Sequence, residues 1–132
     1  MGKIRTIIIF CLWVKLSQGA APPHFTEMWR KTPCFDRASA AIGSDGTVYV
    51  GVNDGTNKGL VFALNPNDGS EKWRLPIPDG KQFNGSATFH NNILYIGTIN
   101  TFYALDCNNQ GNKLWEQKYQ ISNNTRPVIA NN

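Results

Sequence analysis

Ala63-Leu-Asn-Pro-Asn-Asp-Gly69-Ser-Glu-Lys-Trp73 returns as Ala104-Leu-Asp-Cys-Asn-Asn-Gln-Gly111-Asn-Lys-Leu-Trp115. Upstream of each copy stands Tyr49-Val50-Gly51 or Tyr95-Ile96-Gly97. The period is 41 to 46 residues, and the drift comes mainly from an extra loop, Asp54-Gly-Thr-Asn-Lys-Gly59, in the first copy. Self-similarity at such a period, with strand and turn chemistry inside it, marks a repeat architecture.

Each copy reads as four short strands. In the first copy they cover 38–42, 47–52, 60–64 and 72–75, and in the second 86–90, 93–97, 101–105 and 113–119. Val, Ile, Tyr and Thr dominate the strand centres, as a half-buried pleated surface favours. Asp45-Gly46 gives a two-residue hairpin signal, because Gly accepts positive φ. Asn91-Asn92 takes its place in the second copy, and Asn also tolerates the left-handed region. No window beyond the first twenty residues shows a helical period.

The repeated phrase has a physical reading. Ala63 and Ala104 are small, so a ring can lie against them. Asn65 and Asp106 open a turn with an Asx-type hydrogen bond, and Gly69 and Gly111 supply its left-handed residue. Trp73 and Trp115 then project from the outermost strand and bury a large flat area. Trp29 lies 44 residues before Trp73, so residues 26–31 read as a lone outer strand.

This pattern resembles the tryptophan-docking motif of the pyrroloquinoline quinone (PQQ) type β-propeller repeat family. The first copy matches the eleven-residue spacing without a gap, and the second carries one extra residue. The resemblance implies an all-β fold, an incomplete β-propeller of four-stranded antiparallel blades with tryptophan-docking motifs. In that family the Trp of one blade docks on Ala and Gly of the next. The expected organisation is a leader over 1–19 and a partial propeller over 20–132. Within it lie an outer strand at 26–31, one blade at 38–75, a second at 86–119 and the start of a third at 125–132. Trp73 and Trp115 are expected to be largely buried, and Trp29 to be the most exposed of the three.

Two blades do not close a ring of four to eight. The chain therefore reads as an N-terminal piece of a longer protein. A truncated gene product, or ring completion by oligomerisation, are the alternatives. With a single blade–blade interface it is expected to unfold at low denaturant or to self-associate through its edges.

Met1-Gly-Lys-Ile-Arg5 is a short basic start, Thr6–Val14 is mostly apolar, and Ser17-Gln-Gly19-Ala-Ala21 is small-residue rich. This is the order of a secretory signal peptide, and the apolar run is far short of the ~20 residues a membrane span needs. Cleavage after Gly19 or Ala21 fits, and an uncleaved anchor is the other reading. A secreted or extracytoplasmic location follows, with no membrane span once the leader is removed. The net charge is +4, but Lys3, Arg5 and Lys15 lie in the leader, so the remainder is near +1. No basic stripe suited to nucleic acid is left.

Cys11 belongs to the leader, which leaves Cys34 and Cys107. The secretory route permits a disulfide. In a propeller, however, their two connections lie on opposite faces, so other partners or free thiols compete with that pairing. Asn84-Gly85-Ser86 and Asn123-Asn124-Thr125 match the N-glycosylation pattern and equally suit a turn. His24 and His90 have no metal-ligand spacing. Asp45, Asp54, Asp68, Asp79 and Asp106 all fall in predicted turns. No catalytic, cofactor-binding or metal residue emerges.

Three functional classes remain. The first is a non-catalytic scaffold with a protein partner, as for the family's bacterial outer-membrane assembly lipoprotein and the lumenal sensor domains of stress kinases. The second is a quinoprotein dehydrogenase, which would need PQQ and calcium ligands from further blades. The third is an extracellular domain of a larger multidomain protein.

Overall fold

The computed structural model describes residues 28–31, 40–56, 58–77, 82–83, 85–119 and 127–130. The expected leader (1–19), His24, Cys34, Asp79, Asn84 and Asn123 lie outside the described residues. What is described is nearly all β. The first sheet comprises β1 (Ala41–Ile42), β2 (Val48–Asn53), β3 (Gly59–Leu64) and β4 (Glu71–Pro76). The second comprises β5 (Thr88–His90), β6 (Ile93–Gly97), β7 (Thr101–Asp106) and β8 (Asn112–Lys118). Each is a four-stranded antiparallel meander in sequence order.

Burial falls from the inner strands outward. β2 is buried throughout, whereas β8 is exposed along its whole length. The pleat sorts the side chains onto two faces. Tyr49, Val61 and Ala63 turn toward the second sheet, whose Leu94, Ile96, Tyr103 and Leu105 meet them with Ile77 and Phe83 of the connection. Val48, Val50, Val52 and Leu64 turn the other way and pack under Trp29. Full burial of such a side chain is worth about 1.5–3 kcal/mol, so the interface between sheets is the main core.

The hairpins part from the expectation in one place. Asp45-Gly46 is not a two-residue loop. Gly46 N–H donates to Gly43 O at 3.0 Å and Gly43 N–H to Thr47 O at 2.8 Å, giving a three-residue loop with Gly46 at φ +81. The Asp45 carboxylate accepts from Thr47 N–H at 3.0 Å and from the Thr47 hydroxyl at 2.7 Å, which fixes the longer turn. Asn91-Asn92 does form a two-residue turn, with His90 opposite Ile93 and φ of 49° and 61°. Positive φ at both positions suits the right-handed twist of the flanking strands.

Residues 28–31 and 127–130 carry no strand assignment. Pro127 O accepts a bond from the Thr88 hydroxyl on β5 at 2.8 Å, which places this segment beside β5. β5 lies against β1 in turn.

Candidate functional site

The repeated phrase builds one local device twice. In register, Ala41, Tyr49, Ala63 and Trp73 stand in a row across the first sheet. Thr88, Tyr95, Ala104 and Trp115 form the same row in the second. The alanine has no bulk, so the rings on either side of it approach each other. Tyr49 and Trp73 centroids are 5.8 Å apart, and Tyr95 and Trp115 centroids 6.2 Å. The alanine thus makes room for the tryptophan of its own sheet.

The glycine receives a tryptophan from before its own sheet. A Cβ on Gly69 would lie 2.5 Å from Trp29 Cε3, and one on Gly111 would lie 2.8 Å from Trp73 Cζ3. Both glycines have positive φ, +70 and +79. The Trp29 indole N–H also donates to Pro66 O at 2.9 Å.

The direction of this packing corrects the expected exposure. Trp29 is the most buried of the three, at 8% exposed, and Trp115 the most open, at 45%. Trp73 is half-buried. Each tryptophan needs a glycine turn that follows it in sequence. Trp29 and Trp73 have one, whereas no glycine turn faces Trp115 among the described residues. Tyr95 and Phe102 on the same face are only half-buried. Their first-sheet equivalents, Tyr49 and Val61, are sealed by the second sheet. Phe89 stacks on Tyr49 at 5.5 Å and 7°.

The turns also consume the carboxylates. Asp45 serves Thr47, and Asp54 accepts from Thr56 N–H at 2.8 Å and from Lys58 N–H at 3.1 Å. Asp68 accepts from Ser70 N–H at 2.9 Å and Asp106 from Asn108 N–H at 2.9 Å. The Thr47 hydroxyl and backbone bonds, helped by Lys72, hold Asp45 well below the usual carboxylate range. The Thr56 and Ser70 bonds lower Asp54 and Asp68 likewise.

β4 and β8 each carry a bulge one residue before the tryptophan. At the first, Lys72 reaches back to Asp45 Oδ2 at 3.0 Å and the Thr47 hydroxyl at 2.5 Å, tying the outer strand to the inner turn. Leu114 holds that place in β8 and is 47% exposed. Sequence reasoning missed this tie, which the second copy does not repeat, since Leu114 and Asn91 stand at the places of Lys72 and Asp45.

Between the sheets lies a cleft of about 280 Å³, lined among others by Asp45, Tyr49, Lys72, Trp73, Phe89 and Cys107. Cys107 is a free thiol, and burial pushes its pKa up. The same burial, with the thiol beside it, raises the Tyr49 phenol. His90 sits at the end of β5, half-buried. Among the described residues no three His, Cys, Asp or Glu side chains gather at metal-binding distance. No described helix is long and apolar enough to cross a membrane.

No family model matches the chain, and no curated protein does. Among solved structures, BamB from Moraxella catarrhalis is similar over 62% of this chain, with a TM-score of 0.51 and 19% identity. The match covers 24% of the BamB chain, so this chain spans about a quarter of that structure. A likeness at this identity concerns fold, and it identifies the two sheets as β-propeller blades.

Proposed function

We propose that this chain belongs to an extracytoplasmic β-propeller scaffold of the PQQ-like repeat type, which binds a protein partner and catalyses no reaction. The observation that carries the reading is the use made of the carboxylates. Asp45, Asp54, Asp68 and Asp106 each accept backbone N–H bonds in their own turns. Acids committed in this way serve loop shape, and rigid loops on a stacked-sheet frame are the usual place for protein recognition. The contacts of Trp29 on Gly69 and Trp73 on Gly111 support the docking motif, and with it the PQQ-like assignment.

The described residues do not fit a quinone and its calcium ion. Calcium takes six to eight oxygen ligands, several of them carboxylate, and the four described aspartates are each spent on a separate turn. PQQ and calcium are therefore not assigned to this chain. Removal of residues 1–19 on export completes the proposal, and N-terminal sequencing of the exported protein should begin at Ala20.

Photo-cross-linkers placed at exposed turn positions, Asn67, Asn92 and Asn108, test the scaffold reading. One protein partner, captured from some of these positions and not others, is the expected result. Dye-linked alcohol oxidation dependent on added PQQ and calcium would overturn it.

A further inference from the structure

We propose that the cleft between the two blades receives one tyrosine side chain of the protein partner, its ring against the aromatic wall and its hydroxyl at the Asp45–Lys72 pair. The inference rests on the protein-binding reading above and names the chemistry bound at its site.

The cleft is not opened by an end of the chain, because both blades that form it are described. Phe83 of the connection between them sits at the far end of the strands, where its N–H donates to Asn53 Oδ1 at 3.0 Å and it pairs with Thr98. The cleft opens at the other end, between the turns that carry Asp45, Asn92 and Asn108.

Two differences between the copies of the repeat converge there. The first blade has Asp45 and Lys72 where the second has Asn91 and Leu114. The second blade forms its hairpin and its bulge without that ion pair, so the blade fold does not require it. The second blade in turn has one more residue before its glycine, and the 3₁₀ turn at Cys107–Asn109 absorbs it. Insertions in repeats map to loops on one face, often the binding face.

The polar groups of the cleft have capacity to spare. The Lys72 ammonium has three donors and spends two, on Asp45 Oδ2 at 3.0 Å and the Thr47 hydroxyl at 2.5 Å. Asp45 Oδ1 accepts from Thr47 N–H at 3.0 Å and has a second lone pair. The two side chains are 41% and 61% exposed. Trp29 N–H donates to Pro66 O, whereas among the described residues the Trp73 indole N–H makes no hydrogen bond.

These features select the guest. A free donor and a free acceptor stand side by side, and a hydroxyl matches both because it donates and accepts at once. The opposite charges of Lys72 and Asp45 cancel, so a cation or an anion would meet a like charge. Tyr49 and Phe89 stack at 5.5 Å, and Trp73 lies 5.8 Å from Tyr49, so a further ring extends an aromatic cluster. The volume of about 280 Å³ falls below the about 300–1,000 Å³ of small-molecule pockets, on the scale of one side chain. Tyrosine is also among the side chains that dominate protein interfaces.

Titration of the full chain with N-acetyl-tyrosinamide, followed by the indole N–H signal of Trp73 in a ¹⁵N–¹H spectrum, tests this. Trp73→Phe assigns the signal. A saturable shift at roughly millimolar affinity is expected for so small a probe. N-acetyl-phenylalaninamide lacks the hydroxyl and should bind at least about tenfold more weakly. Lys72→Leu, which installs the residue the second blade carries, should weaken the tyrosine probe about tenfold and leave the phenylalanine probe unchanged.

Equal binding of the two probes would overturn the proposal, because the cleft would then be apolar only. Tighter binding of N-acetyl-argininamide, or no saturable shift at tens of millimolar, would overturn it too. If Lys72→Leu fails to fold by circular dichroism, the two probes on the wild type carry the test. Partner capture that persists at Asn92 and Asn108 while the tyrosine probe fails would remove this inference and leave the scaffold reading standing. Binding of the tyrosine probe with no partner captured at any position would do the reverse.

Discussion

Gly111→Ala isolates the cost of the tryptophan seat. Its added Cβ would sit 2.8 Å from Trp73 Cζ3 and 2.9 Å from Cη2, inside contact distance of a rigid ring. Gly111 also has φ +79, where an L side chain costs about 1–2 kcal/mol. Overpacking adds ~1–3 kcal/mol. The substitution should thus cost about 2–5 kcal/mol, a large share of a domain stability of about 5–15 kcal/mol. Gly46→Ala is the control. Its φ is +81, but its nearest neighbour is Pro66 Cγ at 3.4 Å, so it should lose only the backbone part. Urea unfolding followed by fluorescence measures both. With a slope of about 1–3 kcal/mol per molar, the two midpoints should separate by about 1 M. In a Trp73→Leu background the ring atoms that meet the new Cβ are gone, and Gly111→Ala should fall to the cost of Gly46→Ala. Equal costs of the two alanines in the wild type, or no coupling to Trp73→Leu, would refute the seat as the cause.

Other outcomes follow from the same geometry. Asp45 is held below its unfolded pKa, so its contribution is present above about pH 4 and fades as pH falls toward its folded value. Asp45→Asn should flatten the acid limb of a pH series of urea midpoints, and an unchanged limb would contradict the Thr47 and Lys72 contacts. Iodide should quench Trp115 well before Trp29, so Trp115→Phe should remove most of the quenchable emission and Trp29→Phe little of it. The Cys107 thiol, raised by burial, should react with iodoacetamide more slowly in the native chain than in urea, as peptide mass mapping would show. Equal rates in the two states would mean that the cleft does not shield it.

Much of the architecture could be read from the sequence. Val48–Asn53, Gly59–Leu64 and their second-copy equivalents alternate and pair as the Tyr-Val-Gly and Tyr-Ile-Gly phrases imply. What could not be read was direction. An alignment of copies says that Trp29, Trp73 and Trp115 are equivalent, but not which side of the sheet each points to, and that choice reversed their order of exposure. The bulges at Lys72 and Leu114 were hidden for a related reason. Simple alternation puts Glu71 and Trp73 on one face, and only the observed register shows the slipped pairing that frees Lys72 to reach Asp45. The three-residue loop at Asp45 was missed because the carboxylate, not the dipeptide, sets its length.

The two turns that deliver the seat glycines differ in length. In one, Gly69 N–H closes on Asn65 O at 2.9 Å, and in the other Gly111 N–H closes on Asp106 O at 2.8 Å across one more residue. The surplus is absorbed in a single 3₁₀ turn at Cys107–Asn109, with Gln110 left-handed at φ 51. Spacing along the chain is thus uncoupled from position in space, since only the closing bond and the glycine are shared. Residues 107–110 are consequently a graft point. Foreign peptide placed between Asp106 and Gly111 should be displayed at the rim while the seat beneath Trp73 keeps its shape.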